Sequence, residues 1–376
     1  MKPAKPIYFP GLNGLRAIAA LAVVIFHLVV EFKKYNLDPH LFGTLADGSP
    51  KGFIMGGFGV TIFFTLSGFL ITYLLLAEKK QQEIDIKKFY FRRILRIWPL
   101  YYLYLAAALA VIFYFGLHFN AVVLLSYIFF CANIPFILEN IPHVADVTLP
   151  HLRHYWSLGV EEQYYLIWPW IVKKVSKLPL FIVVFIGLFM AGKLFSHFIF
   201  PGTVFAATFE VIRFDCMLIG SLAAIYYFNR QSFFLKITTA LPAQLIAWGV
   251  ILLLALNRFH IISVIDHEII SAVTVVLIMG QITATNRLVN LDNKICDFLG
   301  KISYGIYVIH PLVIFFCPPL VKNTGGPIFL RYALAFTVVL SLTIFLSWLS
   351  YEFFEKRFLK IKTRFTAVAS SNTSTP

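Results

Sequence analysis

The sequence predicts an all-α polytopic membrane protein of about ten transmembrane helices, with one further re-entrant or interfacial segment and both termini cytoplasmic. Three observations predict it. Hydrophobic residues make up 59% of the 376-residue chain and charged residues only 13%, against roughly 25% charged in soluble domains; the mean hydropathy is +0.80. The apolar residues fall in long runs, near the 20 or so that cross a bilayer as a helix, and not in the short alternating segments of a membrane barrel. The 32 basic residues outnumber the 18 acidic ones, for a net charge of +14, and they gather mostly on one side of the apolar runs. Such a composition excludes a soluble globular enzyme, a disordered chain and a coiled coil. For the charge, positive-inside orientation is a better reading than nucleic-acid binding.

Apolar segments lie at 17–34, 54–77, 97–117, 121–138, 157–172, 178–198, 208–228, 238–256, 268–285, 301–320 and 329–350. The first follows Lys2 and Lys5 and has no small-residue cleavage site after it, so it reads as an uncleaved span. The stretch 78–96 carries Lys79, Lys80, Lys87, Lys88, Arg92, Arg93 and Arg96, which places it in the cytoplasm. The tail with Lys356, Arg357, Lys360, Lys362 and Arg364 belongs there too. Parity then leaves one net crossing for 97–117 and 121–138 together. The second of these is interrupted at Cys131–Pro135, so it is the re-entrant or interfacial segment. The membrane domain is 1–357, and 358–376 is a cytoplasmic tail expected to be disordered. The four cysteines are scattered without a metal-ligand spacing and read as apolar fillers; no metal is expected.

Ionisable groups inside a span are costly and are functional candidates by default. Arg16 and His27 lie eleven residues apart on the first span, about 16 Å and three turns, hence on one face. They would line a single internal path, with the imidazole suited to taking and returning a proton near neutral pH. Arg16 could equally be a snorkelling anchor, and His27 a satisfied interhelical hydrogen bond. Arg93 and Arg96 are neighbours on one helix face, and guanidinium forks clamp phosphates; charge alone also fits an anchor on anionic lipid. Glu161 and Glu162 open the span that begins near Tyr155, where the helix dipole favours carboxylates. Trp156, Tyr164 and Tyr165 could stack on sugar rings or simply anchor the interface. Arg213 and Asp215 read as a buried pair, and His310 as a second intramembrane histidine.

Taken together and in order, these residues resemble the signatures of membrane-bound acyltransferase family 3, the bacterial O-acyltransferase group. Arg16 and His27 are similar to its first-helix signature, and Gly59–Ile71, with Ser67, Gly68 and Phe69, resembles its second-span motif. Arg93-x-x-Arg96 before Pro99 matches its arginine motif. Tyr155–Pro169, Arg213-x-Asp215 with Gly220, and Ser303-Tyr304 to His310-Pro311 follow in the family's order. The resemblance covers residues 7–357.

That resemblance implies transfer of an acyl group, commonly acetyl, from cytoplasmic acetyl-CoA or another acyl-CoA to a carbohydrate hydroxyl at the outer face of a bacterial plasma membrane. Arg93 and Arg96, with Arg92, would hold the donor phosphates, and Arg16 the thioester arm. His27 would be the base or a transient acyl carrier, and His310 a second acid–base group. Glu161, Glu162, Trp156 and Tyr304 would bind the acceptor. Expected partners are the bilayer, the carbohydrate and, if transfer is not direct, a separate extracytoplasmic transferase; nucleic acid is not one. A transporter or flippase for a glycan or glycolipid, using the same Arg/His path, is the alternative.

Overall fold

The computed structural model describes residues 7–45, 48, 50–144, 147–365 and 370–371. Lys2 and Lys5, and residues 366–369 and 372–376 of the tail, lie outside the described residues.

Among the described residues nearly all of the regular structure is helical. Gly11, at φ 73°, turns the chain into α1 (Leu12–Val30). Helices α2 (Ile54–Gln81) and α3 (Ile86–Tyr114) follow, 28 and 29 residues long, so each exceeds 40 Å at about 1.5 Å per residue and outreaches the ~30 Å hydrocarbon core. Asp85 caps α3 by accepting the Lys88 amide at 3.0 Å. Two short helices, α4 (Ala121–Ile128) and α5 (Asn133–Glu139), are separated by Phe130 in the left-handed region at φ 56°. Neither is long enough to cross a bilayer, as expected of a re-entrant or interfacial segment. Next come α6 (Tyr155–Lys174), α7 (Leu178–Ile199), α8 (Val204–Ile212) and α9 (Phe214–Phe228). Arg213, at φ 46°, breaks α8 from α9 within what the sequence reads as one span. Helices α10 (Ser232–Thr238) and α11 (Leu241–Ala255) meet at 51°, and α13 (Lys294–Lys301) and α14 (Ser303–Phe316) at 64°, with α12 (Asp266–Thr283) between the pairs. The short α15 (Pro318–Lys322) leads to α16 (Ile328–Ser350), a π-helical turn at Tyr351–Glu355, and α17 (Lys356–Lys362). Residues 356–365, most of which fall in the tail expected to be disordered, are thus helical, because α17 packs back on α3.

Seven helical runs are long and apolar enough to cross a membrane: α1, α2, α3, α7, α8–α9, α12 and α16–α17. The bent pairs α10–α11 and α13–α14 raise the number to nine, so the chain is a multi-pass membrane protein. The tenth span expected from the sequence corresponds to α6, 20 residues long but made polar by Glu161, Glu162, Lys173 and Lys174.

The centre and the periphery are distinguishable by burial. Of the most apolar 18-residue stretch of each run, 67% is buried in α2 and 61% each in α1 and α12, against 17% in α7 and in α16–α17, which form the periphery. The most extensive packing joins α2 to α9 and to α1. It depends on absent side chains: a Cβ on Gly68 would sit 1.9 Å from the Met217 carbonyl oxygen, and one on Gly220 would sit 2.1 Å from that of Thr65. Small residues let membrane helices approach backbone to backbone, where dispersion and weak polar contacts replace the missing hydrophobic drive.

At one end of the bundle the loops are basic and tied together. Arg92 pairs with Glu78 at 2.8 Å, Lys173 with Glu83 at 2.8 Å, and Lys79 donates to the Val172 carbonyl at 2.7 Å. The opposite end carries the loop 140–154, where the His151 ring lies on Phe315 with centroids 4.3 Å apart. Burial, reinforced by Lys34, pushes the His151 imidazole from 6.5 down to about 4. The folded state therefore binds this proton less readily than the unfolded chain, so stability is full above about pH 6.5 and falls as the pH drops toward 4. We expect His151→Phe to weaken the acid-side loss of melting temperature between pH 6.5 and 4.5; an unchanged loss would contradict this role.

Candidate active site

The basic half of the bundle encloses a cavity of about 100 Å³. Arg16 enters it from α1, Ser67 from α2, Arg93 and Arg96 from α3, Glu161 and Tyr165 from α6, and Tyr304 and Tyr307 from α14. Five helices converge there because α2, held by its glycines, sits close between α1 and α9 and so brings α6 and α14 within reach. Glu161 accepts hydrogen bonds from the Ser67 and Tyr165 hydroxyls. The Arg93 guanidinium lies 5.5 Å from the Tyr165 ring and 5.6 Å from the Phe89 ring, a cation–π arrangement suited to a desolvated cation.

The charge balance of this cavity is unusual. Three guanidiniums share it with one carboxylate. Among the described residues no ion pair closes on Arg16, Arg93 or Arg96, and Arg93 Nε is buried without a hydrogen-bond partner. A basic residue costs most at the middle of a span, about 3 kcal/mol on the insertion scale, and less toward the ends where these three lie. Three together, undercompensated, have the chemistry to bind an anion.

Beyond this cavity lies a cluster of three histidines. His27 Nδ1 is 2.9 Å from the Val23 carbonyl oxygen and His310 Nδ1 is 3.2 Å from that of Ile306. Each carbonyl can only accept, so both rings carry their proton on Nδ1. His310 Nε2, 3.2 Å from His27 Nδ1, then accepts a share of the same N–H. The lone pair of His27 Nε2 is left available as a base. His154, just before α6, stacks edge-on against His310 at 5.3 Å and donates Nε2–H to the Val308 carbonyl at 3.2 Å, while its Nδ1 is buried without a partner.

The cavity that Arg16 lines does not have His27 in its wall. Neither His27 nor His310 lines the cavity; Phe63 and Tyr307 do, with their ring centroids 6.0 Å apart. The Tyr307 hydroxyl is 2.5 Å from Ser157 Oγ and donates to the His154 carbonyl at 2.9 Å. Its ring faces His154 at 5.5 Å and His310 at 6.1 Å. Tyr307 is therefore shared, as wall of the cavity on one side and as neighbour of the histidines on the other.

Other expected site residues fall in different places. Arg92 is outside the cavity, held between Glu78 and the Phe365 carbonyl. Glu162 sits beside Trp98 of α3 and does not line the cavity. Glu161 belongs with the arginines and is not at the end of the span. Trp156 packs face-on against Phe136 at 5.0 Å and under the Arg213 guanidinium at 5.3 Å, so its faces are engaged within the protein. Arg213 and Asp215 do not pair: Arg213 donates Nε–H to the Glu210 carbonyl at 2.7 Å, and its left-handed backbone turns it away from α9. Tyr304 does line the cavity, its hydroxyl donating to the Ile97 carbonyl at 2.8 Å. Ser67, Tyr307 and His154 were not singled out for chemistry in the sequence, and Tyr165 only as an aromatic that could stack on a sugar. Ser67, Tyr165 and Tyr307 lie inside recognised motif stretches, whereas nothing local distinguishes His154.

Fold and site define a multi-pass membrane protein with a buried cationic cavity abutting a histidine cluster. A family model described as an acyltransferase domain matches residues 9–352, and the chain belongs to acyltransferase family 3. It is 30% identical over 346 residues to the peptidoglycan O-acetyltransferase OatA of Listeria monocytogenes, covering 84% of this chain and 51% of that protein. A Bacillus subtilis protein, YrhL, provisionally named a peptidoglycan O-acetyltransferase, is 29% identical over 376 residues, 93% of this chain and 54% of its own. A Staphylococcus aureus protein provisionally named an O-acetyltransferase is 28% identical over 392 residues, covering 96% and 58%. The chain thus spans about half the length of the curated relatives it matches. No solved structure matches it.

Proposed function

We propose that the chain is an integral-membrane O-acetyltransferase of the bacterial plasma membrane, moving acetyl from acetyl-CoA at the cytoplasmic face to a carbohydrate hydroxyl at the outer face. The basic end of the bundle is then cytoplasmic by the positive-inside bias, with α6 as the tenth span and both termini inside. The observation that carries the reading is the cavity with three guanidiniums and one carboxylate, adjoining an imidazole whose Nε2 lone pair is free. Family membership supports acyl transfer, and the names of the relatives support acetyl as the group and a cell-wall glycan as the acceptor class.

In this mechanism Arg93 and Arg96 bind the donor phosphates, and Arg16 receives the arm that leads to the thioester. Arg16 and His27 lie about 16 Å apart along α1, so an extended arm entering past Arg16 brings its acyl end toward His27 once Tyr307 and Phe63 swing aside. His27 Nε2 takes the proton from the acceptor hydroxyl as its oxygen attacks the thioester carbonyl carbon. The carbon–sulfur bond then breaks, and the imidazolium returns the proton to the departing thiolate. Val23 and His310 hold the ring in the tautomer this step needs.

The test supplies labelled acetyl-CoA to inside-out vesicles containing the full chain, with a cell-wall glycan on the other face. Label on glycan hydroxyls, with free thiol released in equal amount, is the expected result. Glycan movement without thiol release would make the chain a carrier instead.

A further inference from the structure

The cavity of about 100 Å³ that holds Arg16, Arg93 and Arg96 is narrow for a donor that ends in a nucleotide, since pockets for molecules of that size run to roughly 300–1,000 Å³. A second pocket, of about 380 Å³, lies between α13, α16 and the π-helical turn Tyr351–Glu355. Lys294, Asp297, Lys301, Trp348, Tyr351 and Glu352 line it.

The two spaces are neighbours. Ile302 is in the wall of the second, and Ser303 and Tyr304 are in the wall of the first, so the 64° bend between α13 and α14 divides them. The Tyr304 hydroxyl donates to the Ile97 carbonyl at 2.8 Å, one residue past Arg96, and the π-helical turn packs on α3 as well. On the side of α1, Asn13 lies three residues before Arg16 and donates Nδ2–H to Asp297 Oδ1 at 3.1 Å. Gly300 lets α13 close on α1 there, because a Cβ would meet the Asn13 carbonyl oxygen at 2.3 Å.

The lining has the chemistry of a nucleotide site. Trp348 is 37% exposed, and among the described residues its one ring contact, with Phe345, is at 6.0 Å and tilted by 37°. No ring of the protein stacks flat on the indole, which leaves it free to take a base. Lys294 and Lys301 have no ion-pair partner among the described residues, while the carboxylates beside them are engaged elsewhere: Asp297 takes the Asn13 amide, and Glu352 is held by Lys356 at 2.7 Å. Free ammonium groups bind phosphate, and a carboxylate can accept from an amino group on the base. A lipid headgroup would use the lysines but brings no ring for Trp348.

We infer that this second pocket binds the nucleotide end of the donor, with an amino-bearing base against Trp348 and its phosphate on Lys294 and Lys301, while the rest of the donor continues past Arg96 into the cavity. This rests on the reading of the chain as an acyl-CoA transferase. It adds the element that tells a donor with a nucleotide from one that ends at phosphopantetheine.

The experiment compares the full chain with three variants in nanodiscs of zwitterionic lipid: Lys294→Gln with Lys301→Gln, Lys294→Arg with Lys301→Arg, and Trp348→Leu. The donors are acetyl-CoA and acetyl-phosphopantetheine, which lacks the nucleotide. The double glutamine variant should raise KM for acetyl-CoA about tenfold or more, the loss of charge-assisted contacts. Trp348→Leu should raise it by about tenfold, the worth of one base–aromatic stack. In both, kcat and the KM for acetyl-phosphopantetheine should stay near wild type, and the double arginine variant should keep most of the wild-type KM. Adenosine bisphosphate, the nucleotide end alone, should compete with acetyl-CoA in the wild type and at least tenfold more weakly in the double glutamine variant. Equal effects on both donors, no effect on either, or no competition by the bisphosphate would overturn the nucleotide pocket and leave acetyl transfer standing. An effect of the lysines seen only in nanodiscs containing anionic lipid would make the pocket a headgroup site and overturn it too. A wild-type chain unable to use acetyl-CoA would overturn the function and the pocket's role with it.

Discussion

The His27→Ala protein is expected to lose acetyl transfer by about 10²–10⁴-fold, the usual worth of a positioned general base, while folding as before. Both halves of that expectation come from the geometry. His27 is only half-buried, and beyond its bond to Val23 of its own helix it makes one hydrogen bond to another, at His310 of α14, so removing the ring costs a single contact between α1 and α14. Its Nε2 lone pair is the one basic site that the tautomers of the His27–His310 pair leave free. His310→Ala should be milder, because the Val23 carbonyl still fixes the His27 tautomer when His310 is gone. The measurement is the rate of label transfer in the vesicle assay, alongside melting temperature in detergent. Unaltered transfer in a folded His27→Ala protein would remove the histidine from the mechanism.

The second large effect concerns the fold. Gly68→Val should yield essentially no folded protein, and Gly68→Ala a marked loss of thermal stability. A Cβ at this position meets the Met217 backbone at 1.9 Å, and on the same seam Gly220 meets Thr65 at 2.1 Å. Backbone on backbone has no flexible side chain to give way, so α2 and α9 must separate. Overpacking in a core costs about 1–3 kcal/mol when side chains can adjust; here the cost lies at or beyond the top of that range, a large share of ordinary stabilities of 5–15 kcal/mol. Gly57→Ala and Gly249→Ala are the controls, since nothing lies within 4 Å of a Cβ at either. Size-exclusion profiles of the expressed proteins decide the matter. A normal profile for Gly68→Val would show that the α2–α9 seam is looser than described.

Much of this was legible in the sequence, for physical reasons that also explain the rest. Arg16, His27, Arg93, Arg96 and Glu161 stand out because an ionisable group in an apolar run is expensive wherever it points. Which of several neighbouring charges enters the cavity is another matter. Arg92, Arg93 and Arg96 fall within little more than one turn, and only tertiary partners, Glu78 and Phe365, draw Arg92 away. Glu161 and Glu162 are adjacent, and a rotation of about 100° per residue sends one into the cavity and the other toward Trp98. Trp156 looked free to stack on a sugar because aromatic residues at a span end look alike whether exposed or packed; Phe136 and Arg213 are remote in sequence. The roles of His154 and Tyr307 were illegible for the same reason, since they lie in a contact between the turn before α6 and α14. The break at Arg213 leaves little trace in hydropathy, because apolar residues continue on both sides of it, and α13, with Lys294, Asp297 and Lys301, is too polar to read as the start of a span.

The direct test of the account is a determined structure of the full chain with a non-hydrolysable thioether analogue of acetyl-CoA. The account predicts phosphates within hydrogen-bond distance of Arg93 and Arg96, the arm passing Arg16, and Tyr307 turned aside so that the acyl carbon lies beside His27 Nε2. An analogue bound elsewhere, or bound with its acyl end still separated from His27 by a closed Tyr307–Phe63 wall, would contradict it.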